Sequence, residues 1–474
     1  MRFVVLICCL AACRHACSFS SFTSASLPLC GSRLHHHHHH HHQGFVHMTS
    51  TTSDPFEATW SKASTLIPSN SVGLANFDKV TGETRGLKAK VSFKPKELVT
   101  AIKTQDTIFV AEAGSKGCIP GLESIWEKCS GNTRLSLTLL QRYQTLELKG
   151  TTGNVFIDAY LRSLPAPEEL KSPIHWSDTL LDTFPYDYIK RSTEKQKGNW
   201  NGLYRKLKDT EAYRDISEDR FIWAMEVVRS RAFKGIAGIQ DSFLLTKISP
   251  ILISCTLLYL VYVMTQSAQV NDDPIAIAIG LLAVVIPIIV QGDESSIVLL
   301  PVIDSCNHKS RNPSCALAFS PVSGAFEINA AEDTGIQAGA EITLSYGDKN
   351  NDDLLQYFGF IEEKNTFDRY IVVNPQKSMQ ESGCDEKLLK AAAALGDEDV
   401  LVMDTEEVTT PWDGDVLRQL LEFELQKINA YLDRGDNNDE GFNSDSKRMW
   451  ELGRIFLEEK SKVLRKCLSK LKDS

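Results

Sequence analysis

Between Leu299 and Phe360 the chain reads LLPVIDSCNHKSRNPSCALAFSPVSGAFEINAAEDTGIQAGAEITLSYGDKNNDDLLQYFGF. Three polar features punctuate this stretch: Asp304, the Asn307-His308 pair, and Tyr346-Gly347. A carboxylate, an amide, an imidazole and a phenol can grip a polar ligand or orient a reacting group through hydrogen bonds. The elements that must hold them are legible around them. Ala316 to Phe319 and Ala325 to Ile328 are short apolar runs flanking Pro321-Val322-Ser323-Gly324, which predicts a hairpin. Ile342 to Tyr346 has β-rich composition after the Gly339-Ala340-Glu341 break, and puts Tyr346 at a strand end. Asn350 to Asp353 then supplies capping residues for a helix carrying Leu354 and Leu355.

This order resembles the core of SET-domain methyltransferases, in the subgroup that looks like the Rubisco large-subunit lysine methyltransferase. There an LxPxxDxxNH segment precedes a hairpin, a GxE-x-IxxSYG strand and an LLxxYGF helix. The matching residues here are Leu300, Pro301, Asp304, Asn307, His308, Gly339, Glu341, Tyr346, Gly347, Leu354, Leu355, Gly359 and Phe360. Any one of them is a weak signal; the ordered set is a strong one. The resemblance implies an α+β chain: a mostly-β SET fold, an inserted helical subdomain, and a C-terminal all-helical domain that holds the protein substrate.

The same resemblance extends upstream. Glu83-Thr84-Arg85-Gly86-Leu87, followed by Lys88 to Phe93, looks like the first SET strand pair, with an RGL-type turn that lets backbone approach the tail of S-adenosylmethionine. Thr84 stands where the common form has glycine. From Leu135 to Trp223 the pattern is helical, with YLRSLP at Tyr160 to Pro165 and His175-Trp176 read as packing residues. Asp215 and Glu218 have capping-box spacing ahead of Phe221 to Phe233, whose Phe221, Met225 and Val228 form an apolar stripe. That helix ends in an SRAF similar to the family's, which puts Arg231 near cofactor and substrate amine.

What the resemblance implies for the site is a lysine methyl transfer. A lysine amine is nucleophilic only when neutral, and with a reference pKa near 10.4 only about one in a few thousand is neutral at pH 7. A narrow apolar channel facing a sulfonium would select that form by desolvation and like charge. Tyr346 is the expected catalytic residue, orienting the amine lone pair. Glu83, Thr84, Arg85, Gly86, Asn307, His308 and Phe360 are expected around the cofactor. Arg231, Asp304 and Phe358 are expected on the substrate side. Phe358 replaces a tyrosine of many relatives, and Leu317 or Ala318 falls about where some carry a channel tyrosine. No metal role is expected. A protein-histidine methyltransferase, or a SET fold kept as a partner-binding or membrane scaffold, are the alternatives.

Composition agrees with such a protein. The 474 residues are 42% apolar and 24% charged with a net charge of −10, which suits a globular chain and not a phosphate-gripping one; no nucleic-acid partner is expected. Five of the twelve cysteines, Cys8, Cys9, Cys13, Cys17 and Cys30, precede residue 35, and no CxxC pair follows. Arg2, the run Phe3 to Cys13 and the small residues Ala16 to Ser18 read as a signal peptide over 1–18. Residues 19–70 read as a transit-like segment and linker: Ser-rich and acid-free before Asp54, with an octahistidine at His35 to His42 that is either native or a tag. Plastid delivery is the expectation, with plain secretion as the alternative. The SET domain is expected over 71–362, with a helical insert at about 135–223 and an apolar insertion at about 244–292. There Ile248 to Val270 and Pro274 to Gln291 are charge-free and near spanning length, giving either a membrane hairpin or a buried helix pair. Residues 363–474 carry helical stripes at Leu417, Leu420, Leu421, Leu425, Ile428 and Leu432, and again from Leu452 to Leu471, with an acidic loop between. A monomer is expected.

Overall fold

Strands β1 (Val72–Lys79) and β2 (Gly82–Ala89) pair antiparallel with Asn76 opposite Arg85 and Ala75 opposite Gly86. In β2, Leu87 and Ala89 are fully buried while Lys88 between them is half-buried, the period of two expected of a sheet with one covered face. The computed structural model describes residues 71–79, 82–112, 114–234, 296–320, 323–383, 400–404, 414–433 and 444–473. The leader, the His tract, both apolar segments of the insertion and the acidic residues 434–443 lie outside the described residues. No described helix is long and apolar enough to cross a membrane.

Among the described residues, four small sheets build the β part. The order β1-β2-β10-β7 brings β10 (Glu341–Leu344) antiparallel to β2 and parallel to β7 (Asn307–His308). A second sheet places β9 (Ala325–Ala330) between β3 (Leu98–Lys103) and β8 (Cys315–Ser320). The β8–β9 register, with Ser320 opposite Ala325, matches the hairpin read from the sequence. In a third sheet β6 (Ser296–Leu299) lies between β4 (Ile108–Ala111) and β5 (Ala232–Lys234). β11 (Arg369–Val373) and β12 (Val400–Asp404) make the fourth.

Two expectations require correction. Thr84 to Leu87 is the interior of β2 and not a turn; antiparallel pairing with Leu74 to Phe77 of β1 holds the segment extended, and its glycine serves close packing. Likewise the helix Glu218–Arg231 is capped by Ser217, whose hydroxyl accepts the Arg220 N–H at 3.3 Å. Ser217 directly precedes the first helical residue, so its short side chain reaches the exposed first-turn amide; Asp215 is two residues too early.

Helices α1 (Gly131–Lys149), α2 (Val155–Ser163), α3 (Asp187–Lys208) and α4 (Glu218–Arg231) occupy the helical stretch. Ser130 caps α1, and Gly150 ends it at φ 74°, a left-handed conformation that glycine adopts without Cβ strain. Arg220 of α4 grips Glu147 of α1 with both terminal nitrogens, at 2.5 and 2.6 Å. Phe221, Met225 and Val228 are buried as the stripe predicts, in a core shared with Leu87, Leu299 and Leu344. A second core joins α6 (Gly414–Leu432) and α7 (Ser444–Asp473) to β11 and to α5 (Asn351–Phe358) through Leu355, Tyr370, Leu417 and Phe456. At its centre the fully buried Lys460 ammonium lies 2.7 Å from each of Asp352 Oδ2, Asp368 Oδ1 and the Arg369 carbonyl.

Candidate active site

The site is assembled where chain segments distant in sequence cross. Asn307 and His308 lie parallel to Thr343 and Leu344, so Tyr346, two residues beyond the strand, comes down beside them. The His308 ring is buried, its Nδ1 accepts the Tyr346 backbone N–H at 3.0 Å, and it stacks on the phenol at 4.9 Å between centroids. The Tyr346 hydroxyl donates to the Cys306 carbonyl at 2.6 Å. Burial drives the Tyr346 phenol above its usual ionisation range, so it stays neutral.

The segment leading to this pair is bent sharply. Val302 sits at φ 70°, ψ −52°, and the Ile303 N–H reaches back to the Pro301 carbonyl at 2.9 Å, a γ-turn that is costly for a β-branched residue. The bend turns Asp304 inward. Its carboxylate accepts the Tyr160 hydroxyl at 2.7 Å and faces Arg231 at 3.6 Å, while the Arg231 guanidinium also donates to the Asp304 carbonyl at 3.1 Å. Burial pushes the Asp304 carboxyl upward, opposed by the Arg231 charge.

Gly86 explains why the strand interior contains a glycine. A Cβ there would lie 2.4 Å from Asn307 Nδ2, the atom that donates to Glu341 Oε1 at 2.7 Å. Lys79 pairs with the same Glu341. Arg85 reaches across to the Ser163 carbonyl at 3.0 Å, at the end of α2. Gly359 closes α5 at φ 70°, where a Cβ would stand 3.1 Å from the backbone of Lys171 and Ser172. This glycine therefore brings the helical stretch against Phe358 and Phe360, and Phe358 lies 5.1 Å from the Tyr346 ring.

A cavity of about 530 Å³ results. Of the residues expected from the sequence, Thr84, Arg85, Arg231, Asp304, Asn307, Tyr346, Phe358 and Phe360 line it. Gly86 stands behind Asn307, and Glu83 belongs to β2, with its side chain outside the described residues. His308 does not line the cavity with its side chain; the ring is spent holding Tyr346, with Nε2 facing Glu362 Oε2 at 3.6 Å. Leu317 and Ala318 do not line it either, because Leu317 packs against the main core and β8 turns Ala318 to solvent.

Sequence reasoning missed several residues of the wall, among them Lys171, Ser172, Glu226 and Arg448. Glu226 lies in the wall, buried, where it accepts the Ser172 hydroxyl and pairs with His175 Nε2. His175 is thus not a packing residue, whereas the buried Trp176 packs edge-on against Phe184. The only available signal was Glu226 on the otherwise apolar face of α4, a polar residue where burial demands a partner.

No protein-family model and no curated protein sequence matches the chain. Among solved structures, the SET domain of LSMT bound to lysine and AdoHcy superposes with a TM-score of 0.50 at 13% identity, covering 88% of this chain and 91% of that one. Rubisco LSMT bound to AdoMet, and Rubisco LSMT bound to sinefungin and monomethyllysine, each give 0.49 over 89% of this chain and 92% of theirs, at 13% and 14% identity. The first of these, at 13% identity, speaks for the fold alone: four small sheets, a helical stretch and C-terminal helices among the described residues give this chain the SET-domain fold of that LSMT structure.

Proposed function

We infer that this chain is an S-adenosylmethionine-dependent protein methyltransferase acting on a lysine side-chain amine. The observation that carries the reading is the Tyr346 phenol, whose proton is committed to the Cys306 carbonyl and which lines one cavity with Arg85, Asn307 and Phe358. Because that proton is engaged, the phenol oxygen presents its lone pairs to whatever enters.

The cavity fits the cofactor. Its volume falls within the roughly 300–1,000 Å³ of ligand pockets, and it combines aromatic faces with amide, hydroxyl and guanidinium donors. Thr84, Arg85, Asn307 and Phe360 would hold S-adenosylmethionine, with backbone from Glu83, Gly86 and His308. When bound it supplies a methyl group activated by the sulfonium. The chain's own work is positional. Tyr346 oxygen accepts an N–H of the incoming amine and so aims its lone pair, and in-line geometry of this kind removes much of a transfer barrier. Asp304 is already matched by Arg231 and the Tyr160 hydroxyl, so the wall offers no free carboxylate there to stabilise ammonium. Arg231, Asp304 and Phe358 thereby shape the substrate side, and burial favours the neutral amine. The helices from Gly414 onward are assigned to docking the protein substrate, and the leader composition to plastid delivery, which a fluorescent fusion of residues 1–70 would locate.

The test is incubation of purified protein with methyl-labelled S-adenosylmethionine and plastid extract, followed by identification of the labelled residue. Label on lysine, lost in Tyr346→Phe, is the expected result. Label absent from wild type, or on histidine, overturns the reading.

A further inference from the structure

The carboxylates and cations in the cavity wall are unevenly matched. Asp304 is held by Arg231 and Tyr160, Glu226 by Ser172 and His175, Glu169 turns back to accept the Ala166 N–H at 2.8 Å, and the fourth carboxylate, Glu168, is exposed to solvent. Two cations, Lys171 and Arg448, share the wall with no carboxylate at ion-pair distance among the described residues. Lys171 is half-buried, its backbone fixed against Gly359 at the Phe358–Phe360 end, and Arg448 is exposed on α7. Burial and the neighbouring Arg448 charge both push the Lys171 ammonium below its usual range, and Glu169 offsets them only in part. Two like charges in a partly desolvated wall repel, and an arriving anion relieves both the repulsion and the lost hydration.

We propose that Lys171 and Arg448 form a subsite for a carboxylate side chain of the protein substrate, placed beside the target lysine, so that the enzyme selects lysines with an acidic neighbour. This rests on the lysine-methyltransferase reading and names its substrate class. The same chemistry would suit the amino-acid carboxylate of the cofactor. The substrate is favoured because Arg448 is exposed at the rim, where a protein passes and an enclosed small molecule does not. It is also favoured because the two cations come from the helical stretch and from α7, away from the β2 and β7 segments carrying Arg85 and Asn307.

The experiment uses a library of peptides with one central lysine and randomised flanks, read both for binding enrichment and for label transferred from S-adenosylmethionine. Wild type should enrich Asp and Glu next to lysine, with an acidic flank binding about tenfold tighter than a basic one at low salt, as expected of two partly exposed ion pairs. The preference should shrink as salt screens it. Lys171→Glu with Arg448→Glu should invert the enrichment towards Lys and Arg while calorimetric binding of S-adenosylhomocysteine stays within about twofold. Unbiased flanks in wild type, or the same bias in both proteins, overturn the subsite, as does weakened S-adenosylhomocysteine binding in the variant, which would assign the cations to the cofactor. Acidic enrichment without label would keep the subsite and remove the methyl transfer; label on all flanks alike would keep the transfer and remove the subsite.

Discussion

His308 Nδ1 accepts the backbone N–H of Tyr346 at 3.0 Å while its ring stacks on the phenol, so the imidazole fixes both the backbone and the plane of Tyr346. Acceptance at Nδ1 requires that nitrogen unprotonated, which puts the single ring proton on Nε2, towards Glu362.

Splitting these two contacts should separate their effects. His308→Asn keeps an acceptor near Nδ1 without the ring; His308→Phe keeps a ring without the acceptor and strands a half-buried N–H at about 1 kcal/mol or more. Transfer should fall about tenfold or more in the Phe variant and less in the Asn variant, in kcat rather than in KM for S-adenosylmethionine, measured by label incorporation at saturating cofactor.

The pH dependence follows from two groups. Burial lowers the His308 pKa against the opposing Glu362 charge, so the unfolded chain binds the proton more readily than the folded one. Stability from this group is complete above the unfolded value of about 6.5 and declines as pH falls from there towards the lowered folded value. Thermal midpoints recorded from pH 8 to pH 5 should drop across that window, and the drop should shrink in His308→Asn. On the alkaline side, burial holds the Tyr346 phenol above its usual range, so transfer should climb between pH 7 and pH 9 without a downturn from tyrosine ionisation.

Tyr346→Phe removes the oxygen that orients the amine and leaves the Cys306 carbonyl without its donor. A loss of about 100-fold in kcat is expected if positioning carries the reaction, with S-adenosylhomocysteine binding by calorimetry almost unchanged. A loss of folding, seen as a collapsed thermal midpoint, would contradict the assignment.

Gly86→Ala puts a methyl group 2.4 Å from Asn307 Nδ2. Either the strand moves or Asn307 releases Glu341, and both disturb the cofactor side of the cavity. The expected outcome is about tenfold weaker S-adenosylhomocysteine binding with the fold retained, a discrimination of about 1.4 kcal/mol.

Lys460→Met should cost about 3–5 kcal/mol, because it leaves Asp352 and Asp368 buried without their cation. Adding Asp352→Asn and Asp368→Asn should recover part of the loss. Chemical denaturation of the three proteins checks both statements.

How much of this was legible beforehand depends on range. The β8–β9 hairpin, the Asn350 cap, whose Oδ1 accepts the Asp353 N–H at 2.9 Å, and the stripes of α4, α6 and α7 were readable because turns, caps and amphipathic faces are set by residues a few positions apart. Ordered motifs also named Arg85, Asp304, Asn307, Tyr346 and Phe360 of the cavity wall, since each sits in a short recognisable segment.

Partnership was not legible. That Arg85 belongs to a strand interior, that His308 serves Tyr346 from behind, that Glu226 holds Ser172 and His175, and that Lys171 shares a wall with Arg448 are contacts between segments from tens of residues to more than two hundred apart. The sequence by itself determined the local elements and the chemical types available at their ends. Only the tertiary structure decided which charges and hydrogen bonds those types satisfy, because a buried polar group takes the partner that packing delivers, and packing is a property of the whole core.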